Sequence, residues 1–220
     1  MPYRLFVPET VDTARLPLVV FLHGSGERGS DNVRHLVNGV MNFVSPAVQA
    51  EFPSIVLVPQ CPEGKRWVEA DWKVRYFTRP ERISPSLEQV IELIQYIIEK
   101  ELVDTQRIYI TGLSMGGIGT WDLIARFPSM FAAAVPVCGG GDTTTANLLK
   151  DMPIWAFHGA KDDVILPQLS RSMVTALQRI GASPGYTEYP DLGHGIWDRV
   201  YTDRTMFRWL FDQQLKRHEN

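Results

Sequence analysis

Short apolar runs alternate with helix-like stretches along most of the chain. The runs are rich in β-branched and aromatic residues, and most end in glycine, proline or a polar loop. Seven of them are predicted to be strands: YRLFV, LPLVVFLH, SIVLVPQ, RIYITG, AAAVPVC, IWAFHG and GYTEYP. The central runs are continuously apolar, which is typical of strands buried on both faces. The pattern therefore predicts an α/β protein, with a mostly parallel sheet covered by helices on both faces.

The segments between these strands place apolar residues three and four positions apart, as an amphipathic helix requires. The clearest is SPSLEQVIELIQYIIEKEL, with Ser84 as the predicted N-cap and Pro85 at the first helical position. Further helices are predicted in MGGIGTWDLIARFP, ending at Pro128, in LPQLSRSMVTALQRIGA, ending on Gly181, and in TDRTMFRWLFDQQLKRHEN, capped by Thr202 or Asp203. No repeat or flexible linker interrupts them, so we expect one domain over residues 1–220.

The amino-acid composition and net charge argue against some classes of binding partner. Hydrophobic residues make up 45% and charged residues 21% of the 220, as in an ordinary globular domain. A net charge of -3, with no basic run, argues against binding to nucleic acid or to an anionic membrane. The apolar run from Leu16 to Leu22 is too short to span a bilayer. The sequence indicates no oligomeric state.

The chain starts abruptly, because the first strand-like run begins at the third residue. The opening stretch MPYRLFVPET contains no apolar segment of the length that a secretory signal requires. We expect a cytoplasmic protein if Met1 is the natural start, and a secreted or periplasmic one if an upstream signal segment is missing.

Two cysteines, Cys61 and Cys138, both follow strand-like runs. They are either two buried free thiols, the alternative we favour, or one disulfide. Neither has the spacing of a metal site, and no cofactor motif is present, so we expect neither a metal nor a cofactor.

Ser114 lies in the stretch ITGLSMGGIG, where a strand-like run meets a helical one. The five residues Gly112 to Gly116 fit G-x-S-x-G, the nucleophile elbow that presents a serine hydroxyl on a strained turn. Glycines are needed because side chains would clash with backbone in so sharp a turn. The following helix directs free N–H groups at the site, and the N–H of Met115 is predicted to donate to an oxyanion. Ser114 is therefore the candidate nucleophile.

An acid and a base are expected further along the chain. The strand-like IWAFHG is followed by Asp162 and Asp163, and either carboxylate is well placed to orient an imidazole. We expect the other aspartate to stabilise a turn. His194 lies between two glycines after the last strand-like run and is the candidate base. The order serine, acid, histidine is the one expected with a nucleophile elbow.

A second oxyanion donor is expected in the glycine-rich loop of FLHGSGERG, which follows a buried strand. We assign this donor to the backbone N–H of Ser25. Four further histidines are expected to be non-catalytic. His23 and His158 are predicted to be structural, whereas His35 and His218 are predicted to lie on the surface.

Five segments together give the chain a family resemblance: FLHGSGERG, VPQCPEG, GLSMGG, HGAKDDVILP and GHGIWD. It resembles an α/β-hydrolase of the group that contains compact carboxylesterases, polyhydroxybutyrate-depolymerase-like esterases, dienelactone-hydrolase relatives and prolyl-oligopeptidase-type catalytic domains. The resemblance extends from about residue 3 to 210. It implies the α/β-hydrolase fold, and it favours Asp162 as the acid, four residues after the histidine of the HG strand end. Relatives often carry an upstream signal or accessory domain, so the resemblance implies, as an alternative, that this chain is the catalytic part of a longer protein.

We therefore expect a serine carboxylesterase that hydrolyses small soluble esters with short acyl chains, through Ser114, His194, Asp162 and an acyl-enzyme. No apolar insertion is long enough to form a large lid, so an open cleft is expected, with Trp67 and Trp197 as candidate walls. The alternatives are a prolyl-oligopeptidase-type peptidase and a feruloyl or polyester-type esterase. A binding module without catalysis is less favoured, because all three catalytic residue types are present.

Overall fold

Seven strands form one sheet in the computed structural model, which describes residues 1–9 and 15–215. They are β1 (Tyr3–Phe6), β2 (Leu16–Leu22), β3 (Ile55–Pro59), β4 (Val103–Leu113), β5 (Ala133–Val137), β6 (Trp155–Gly159) and β7 (Gly185–Tyr189). The order across the sheet is β1-β3-β2-β4-β5-β6-β7. Only β1 runs antiparallel to its neighbour, and the other pairings are parallel. The predicted mostly parallel sheet is confirmed, with a strand in each predicted segment.

Seven α-helices lie in the described ranges: α1 (Val40–Phe43), α2 (Pro46–Glu51), α3 (Pro85–Lys100), α4 (Met115–Arg126), α5 (Pro167–Arg179), α6 (Trp197–Tyr201) and α7 (Arg204–Phe211). Two 3-10 helices cover Ser25–Glu27 and Thr143–Leu149. Ser84 caps α3 as predicted, accepting a hydrogen bond from the backbone N–H of Leu87. Asp203, and not Thr202, caps α7. Residues 216–220, including His218, lie outside the described part.

Both faces of the sheet are covered, and β2 shows why its sequence is continuously apolar. Leu18, Val20 and Leu22 point to the face packed by α3, α4 and α5. Val19 and Phe21 point to the opposite face, which α1, α2, α6 and α7 cover. Because alternate residues of a strand face opposite sides, a strand buried on both faces needs an apolar residue at every position. None of the helices in the described ranges has the length and hydropathy to cross a membrane.

The two cysteines are free thiols, and both are buried. The alternative of a disulfide between Cys61 and Cys138 is therefore wrong. Burial raises the pKa of the Cys61 thiol to about 11, so it stays protonated at neutral pH.

His35 contradicts the prediction that it lies on the surface. Its side chain is fully buried, and its ring nitrogen Nε2 lies 3.1 Å from the carbonyl oxygen of Val58 at the end of β3. The polar run around it does not form an exposed helix. It consists of bends and turns, in which Asn32 and Asn38 adopt positive φ angles, and it folds His35 inward against the sheet.

Candidate active site

Ser114 occupies a strained turn between β4 and α4. Its backbone angles are φ 56° and ψ -120°, a conformation that residues with side chains rarely adopt. The glycines on either side allow the close approach of neighbouring backbone. A Cβ atom at Gly112 would lie 2.7 Å from the carbonyl oxygen of Leu22, and one at Gly116 would overlap that same oxygen. The turn therefore requires glycine at both positions, and it lifts the serine out at the carboxyl edge of the sheet.

His194 links Ser114 to Asp162 by two hydrogen bonds. Its Nδ1 lies 2.7 Å from Asp162 Oδ2, and its Nε2 lies 2.8 Å from Ser114 Oγ. Because an ionised carboxylate can only accept, Nδ1 carries the proton, and the Ser114 hydroxyl then donates to the lone pair of Nε2. The three residues come from the loops after β4, β6 and β7. The structure thus brings together the serine, acid and histidine singled out by the sequence, in the geometry needed for proton abstraction.

Asp162, and not Asp163, makes the contact with His194. Asp162 is buried, and its Oδ1 accepts hydrogen bonds from the backbone N–H groups of Val164 and Ile165, at 2.9 Å and 3.0 Å. Asp163 is exposed. Burial by itself would raise the pKa of Asp162, but hydrogen bonds from His158, from His194 and from the Ile165 N–H outweigh it and hold that pKa well below its usual range. Asp162 is therefore ionised at neutral pH.

The loop after β2 lies beside the serine. A Cβ atom at Gly24 would lie 3.6 Å from the Cβ of Ser114. His23 holds this loop, because its Nε2 accepts a hydrogen bond of 2.9 Å from the backbone N–H of Cys61. Its Nδ1 must then carry the ring proton, which it donates to the carbonyl oxygen of Gly24 at 2.6 Å. Burial lowers the pKa of His23 to about 4, so the ring stays neutral and the arrangement persists at neutral pH.

The hydrogen bond from His23 to the Gly24 carbonyl oxygen, the His23 clamp, fixes the direction of the next N–H group, that of Ser25. The peptide between Gly24 and Ser25 is trans, so the N–H of Ser25 points opposite to the clamped Gly24 carbonyl. Met115 is the first residue of α4, where backbone N–H groups have no partner within the helix. Two backbone donors therefore lie on the elements that flank Ser114.

The sequence profile of the phospholipase/carboxylesterase family matches residues 7–207 of the chain. The chain belongs to this family. Membership agrees with the α/β-hydrolase fold.

Similar proteins agree with the assignment to this family. A crystal structure described as a thermostable esterase superposes with a TM-score of 0.90 at 41% identity, over 96% of this chain and 59% of that one. A probable carboxylesterase of Oryza sativa subsp. japonica is 27% identical, covering 81% of this chain and 71% of its own length. An uncharacterized secreted protein of Arthroderma benhamiae is 28% identical over 83% of this chain, which spans only 22% of that protein. The chain thus covers less than two thirds of two of these three proteins.

The two candidate wall residues of the site differ in their surroundings. Trp67 is fully buried, and its Nε1–H donates to the carbonyl oxygen of His23 at 2.9 Å. The prediction that Trp67 contacts substrate therefore fails, and its role is to support the loop after β2. Trp197 is half-buried at the start of α6, and its ring meets the His194 ring edge to face, with centroids 5.6 Å apart. It remains placed to form a wall of the site.

Glu27 is a site-proximal residue that the sequence analysis missed. Its Oε1 accepts a hydrogen bond of 2.9 Å from the side-chain amide of Asn38, while its buried Oε2 has no partner among the described residues. Burial raises the pKa of this carboxyl. A Cβ atom at Gly24 would lie 2.8 Å from Oε2, so Glu27 packs directly beneath the loop after β2. The glutamate in the stretch HGSGERG was the only sign in the sequence that a carboxyl group lies near the site.

One group of side chains among the described residues has the composition of a metal site. Ligand atoms of Cys138, His158 and Asp162 lie within 4.8 Å of one another, and all three residues are buried. Their chemistry does not suit a cation. Burial, and then the charge of Asp162, raise the pKa of the Cys138 thiol and so disfavour the thiolate that a metal requires. The His158 Nε2 lies 2.9 Å from the carbonyl oxygen of Ile165, to which it can only donate, so it carries a proton and not a free lone pair.

Proposed function

We propose that the chain is a serine carboxylesterase domain that hydrolyses small soluble esters through an acyl-enzyme on Ser114. One observation carries the proposal: His194 lies within hydrogen-bond distance of both Ser114 Oγ and the ionised Asp162. A serine hydroxyl is a weak nucleophile until an adjacent base takes its proton, and this arrangement provides the base already oriented.

In the first step, Ser114 Oγ attacks the ester carbonyl carbon while His194 Nε2 takes the hydroxyl proton. Asp162 holds His194 in the required tautomer and stabilises the imidazolium that forms. The carbonyl oxygen acquires negative charge in the tetrahedral intermediate. The backbone N–H groups of Ser25 and Met115 are the proposed donors to it, supported by the His23 clamp on the preceding carbonyl and by the position of Met115 at the start of α4.

The intermediate then collapses, and His194 gives the proton to the departing alkoxide, so that an alcohol leaves and the acyl group stays on Ser114. In the second step, water attacks the acyl-enzyme while His194 takes a proton from it. Collapse of the second intermediate releases the carboxylic acid and returns the proton to Ser114 Oγ. Each proton taken by His194 is given back, so the site needs no cofactor to balance the reaction.

The proposed preference for short acyl chains rests on the sequence, which has no apolar insertion long enough to form a large lid over the site. A large surface cavity of about 690 Å³ is lined by residues such as Phe52, Arg107 and Trp209, and by none of the triad. It lies where β2 and β4 begin, at the opposite edge of the sheet from Ser114. The proposal therefore expects added methylenes to stay in water at this site, without the roughly 0.8 kcal/mol that burial of each methylene would give.

The test compares p-nitrophenyl acetate, butyrate, octanoate and palmitate, with methyl ferulate as an aromatic-acid ester and a peptide substrate as the amide. An enclosed pocket would raise kcat/KM by about fourfold per methylene. The proposal instead predicts the highest kcat/KM for acetate or butyrate, and little turnover of the peptide.

Two variants give the control. Ser114→Ala is expected to abolish turnover of every ester, whereas Ser86→Ala, which removes another buried serine hydroxyl on α3, is expected to retain it. Ester hydrolysis that survives in Ser114→Ala would defeat the proposal. A kcat/KM that climbs steadily to palmitate would defeat its short-acyl part and indicate a pocket.

A further inference from the structure

Asp162 is in contact with two histidines, the partly exposed His194 and the buried His158. Its Oδ2 lies 2.7 Å from His194 Nδ1 and 3.1 Å from His158 Nε2. The proposed mechanism uses only the first contact. His158, at the end of β6, is fully buried and can reach neither substrate nor solvent. Its effect on the reaction must therefore pass through Asp162.

The Nε2 proton of His158 is fixed by its neighbours. Nε2 lies 2.9 Å from the carbonyl oxygen of Ile165, which can only accept. The N–H therefore donates to this carbonyl and to Asp162 Oδ2 together. With the two backbone donors on Oδ1, the Asp162 carboxylate accepts four hydrogen bonds.

The contacts of the other ring nitrogen of His158, Nδ1, indicate that this nitrogen also carries a proton. His158 Nδ1 lies 2.8 Å from Ser170 Oγ, and this oxygen lies 2.7 Å from the carbonyl oxygen of Gly139. Among the described residues, no other donor reaches the Gly139 carbonyl, so the single hydroxyl proton of Ser170 goes there. Ser170 then offers only lone pairs to Nδ1, and the short contact requires a proton on Nδ1 as well. A histidine with protons on both nitrogens is an imidazolium.

We propose that His158 is a buried imidazolium and a positioning residue, which holds the Asp162 carboxylate and limits how strongly that carboxylate favours the protonated form of His194. The inference rests on the proposed function, because it concerns the same base. Ser170, fully buried on α5, is the residue that keeps His158 charged.

The other titratable groups around His158 leave Asp162 as its counter-ion. Cys138, at the end of β5, is a protonated thiol that donates to the carbonyl oxygen of His194 at 3.2 Å. Glu188 is paired with His158 in the register of β6 and β7, but its carboxylate forms two hydrogen bonds with the guanidinium of Arg171, at 2.7 Å and 2.8 Å. The negative charge of Glu188 is thus already compensated.

The charge of His158 has a measurable consequence. The two histidine nitrogens that contact Oδ2 are at most about 6 Å apart, a distance at which a unit charge moves a protonation equilibrium by about one to two pH units inside a protein. A positive His158 disfavours a positive His194, and so keeps the base unprotonated to lower pH. Removing that charge should therefore move the acid limb of the activity profile to higher pH.

The first experiment observes His158 directly in the wild-type protein, with nitrogen-15 histidine NMR at pH 7. The His158 signals are identified by their loss in His158→Gln. Both ring nitrogens are expected to be protonated; one unprotonated nitrogen would overturn the proposal. This result does not depend on activity, so it holds even if ester hydrolysis fails to require Ser114, an outcome that would defeat the proposed function alone.

The second experiment measures kcat/KM against pH for His158→Gln and Ser170→Ala. The glutamine amide keeps a neutral donor near Nε2, while the alanine removes the acceptor of the Nδ1 proton. Both are expected to shift the acid limb upward by about one to two pH units. The control Ser86→Ala is expected to keep the wild-type limb. The proposal would be overturned if the acid limbs of both variants coincided with that of wild type. A merely structural role would change the rate or the stability without moving the acid limb.

Discussion

Gly116→Ala places one methyl group at the tightest point of the active-site turn. A Cβ atom there would overlap the carbonyl oxygen of Leu22 and lie 2.5 Å from its carbonyl carbon and 2.8 Å from the carbonyl oxygen of His23. All three are backbone atoms, so no side chain can rotate away. The start of α4 and the end of β2 must separate, and both carry proposed parts of the site.

The size of the effect follows from that separation. Ordinary carbon contacts begin near 3.5 Å, so relief of the overlap moves backbone by about 1 Å. Overpacking of this kind costs about 1–3 kcal/mol of stability. A misplacement of about 1 Å between reacting groups costs about a hundredfold in rate. We therefore expect kcat/KM on p-nitrophenyl acetate to fall about a hundredfold in a protein that still folds.

The assay pairs kcat/KM with the free energy of unfolding in urea. Gly26→Ala is the matched control, because a Cβ atom at Gly26 meets nothing within 4 Å. It is expected to change neither quantity appreciably. If Gly116→Ala keeps both the kcat/KM and the stability of wild type, the close approach of α4 to β2 is not what positions Ser114, and the reasoning is refuted.

Three further predictions concern the residues around this turn. Asp162→Asn should lower kcat/KM by about two to four orders of magnitude, and Asp163→Asn by less than about tenfold, measured on p-nitrophenyl acetate; the reverse order would exchange their roles. Glu27 has a raised pKa in the folded protein, so its protonation stabilises the fold at low pH and this contribution is lost as pH rises. The stability of Glu27→Gln relative to wild type should therefore increase between pH 4.5 and 7 in urea titrations, and a constant difference would contradict the buried-carboxyl account. Trp67→Phe leaves the carbonyl oxygen of His23 without its donor and should lower the free energy of unfolding by about 1–3 kcal/mol; an unchanged stability would show that water replaces the donor.

The strands and the longer helices could be predicted because their signals are local. A strand that is buried on both faces has a continuous apolar sequence, and Ser84 with Pro85 marks the start of α3. The short helices α1, α2 and α6 were not predicted. Each has only four to six residues, too few for a helical period to emerge, and tertiary packing decides their conformation.

The candidate site was predictable in its residues but not in all their partners. Motif spacing identified Ser114 and His194, yet the choice between Asp162 and Asp163 needed a family resemblance, since their local sequence is equivalent. The burial of Trp67 and His35 depends on how irregular segments fold back on the sheet, which no periodicity encodes. The contact of His158 with Ser170 joins β6 to α5, so the role proposed for this second histidine beside Asp162 appears only in three dimensions.

The acyl-enzyme is the central claim, and it can be observed directly. The protein is mixed with excess p-nitrophenyl acetate, quenched with acid within the first turnover and digested for mass spectrometry. The account predicts a burst of p-nitrophenol and an acetyl group on the peptide containing Ser114, both absent in Ser114→Ala. Turnover without an acetylated Ser114 peptide, or with the acetyl group on another residue, would contradict it.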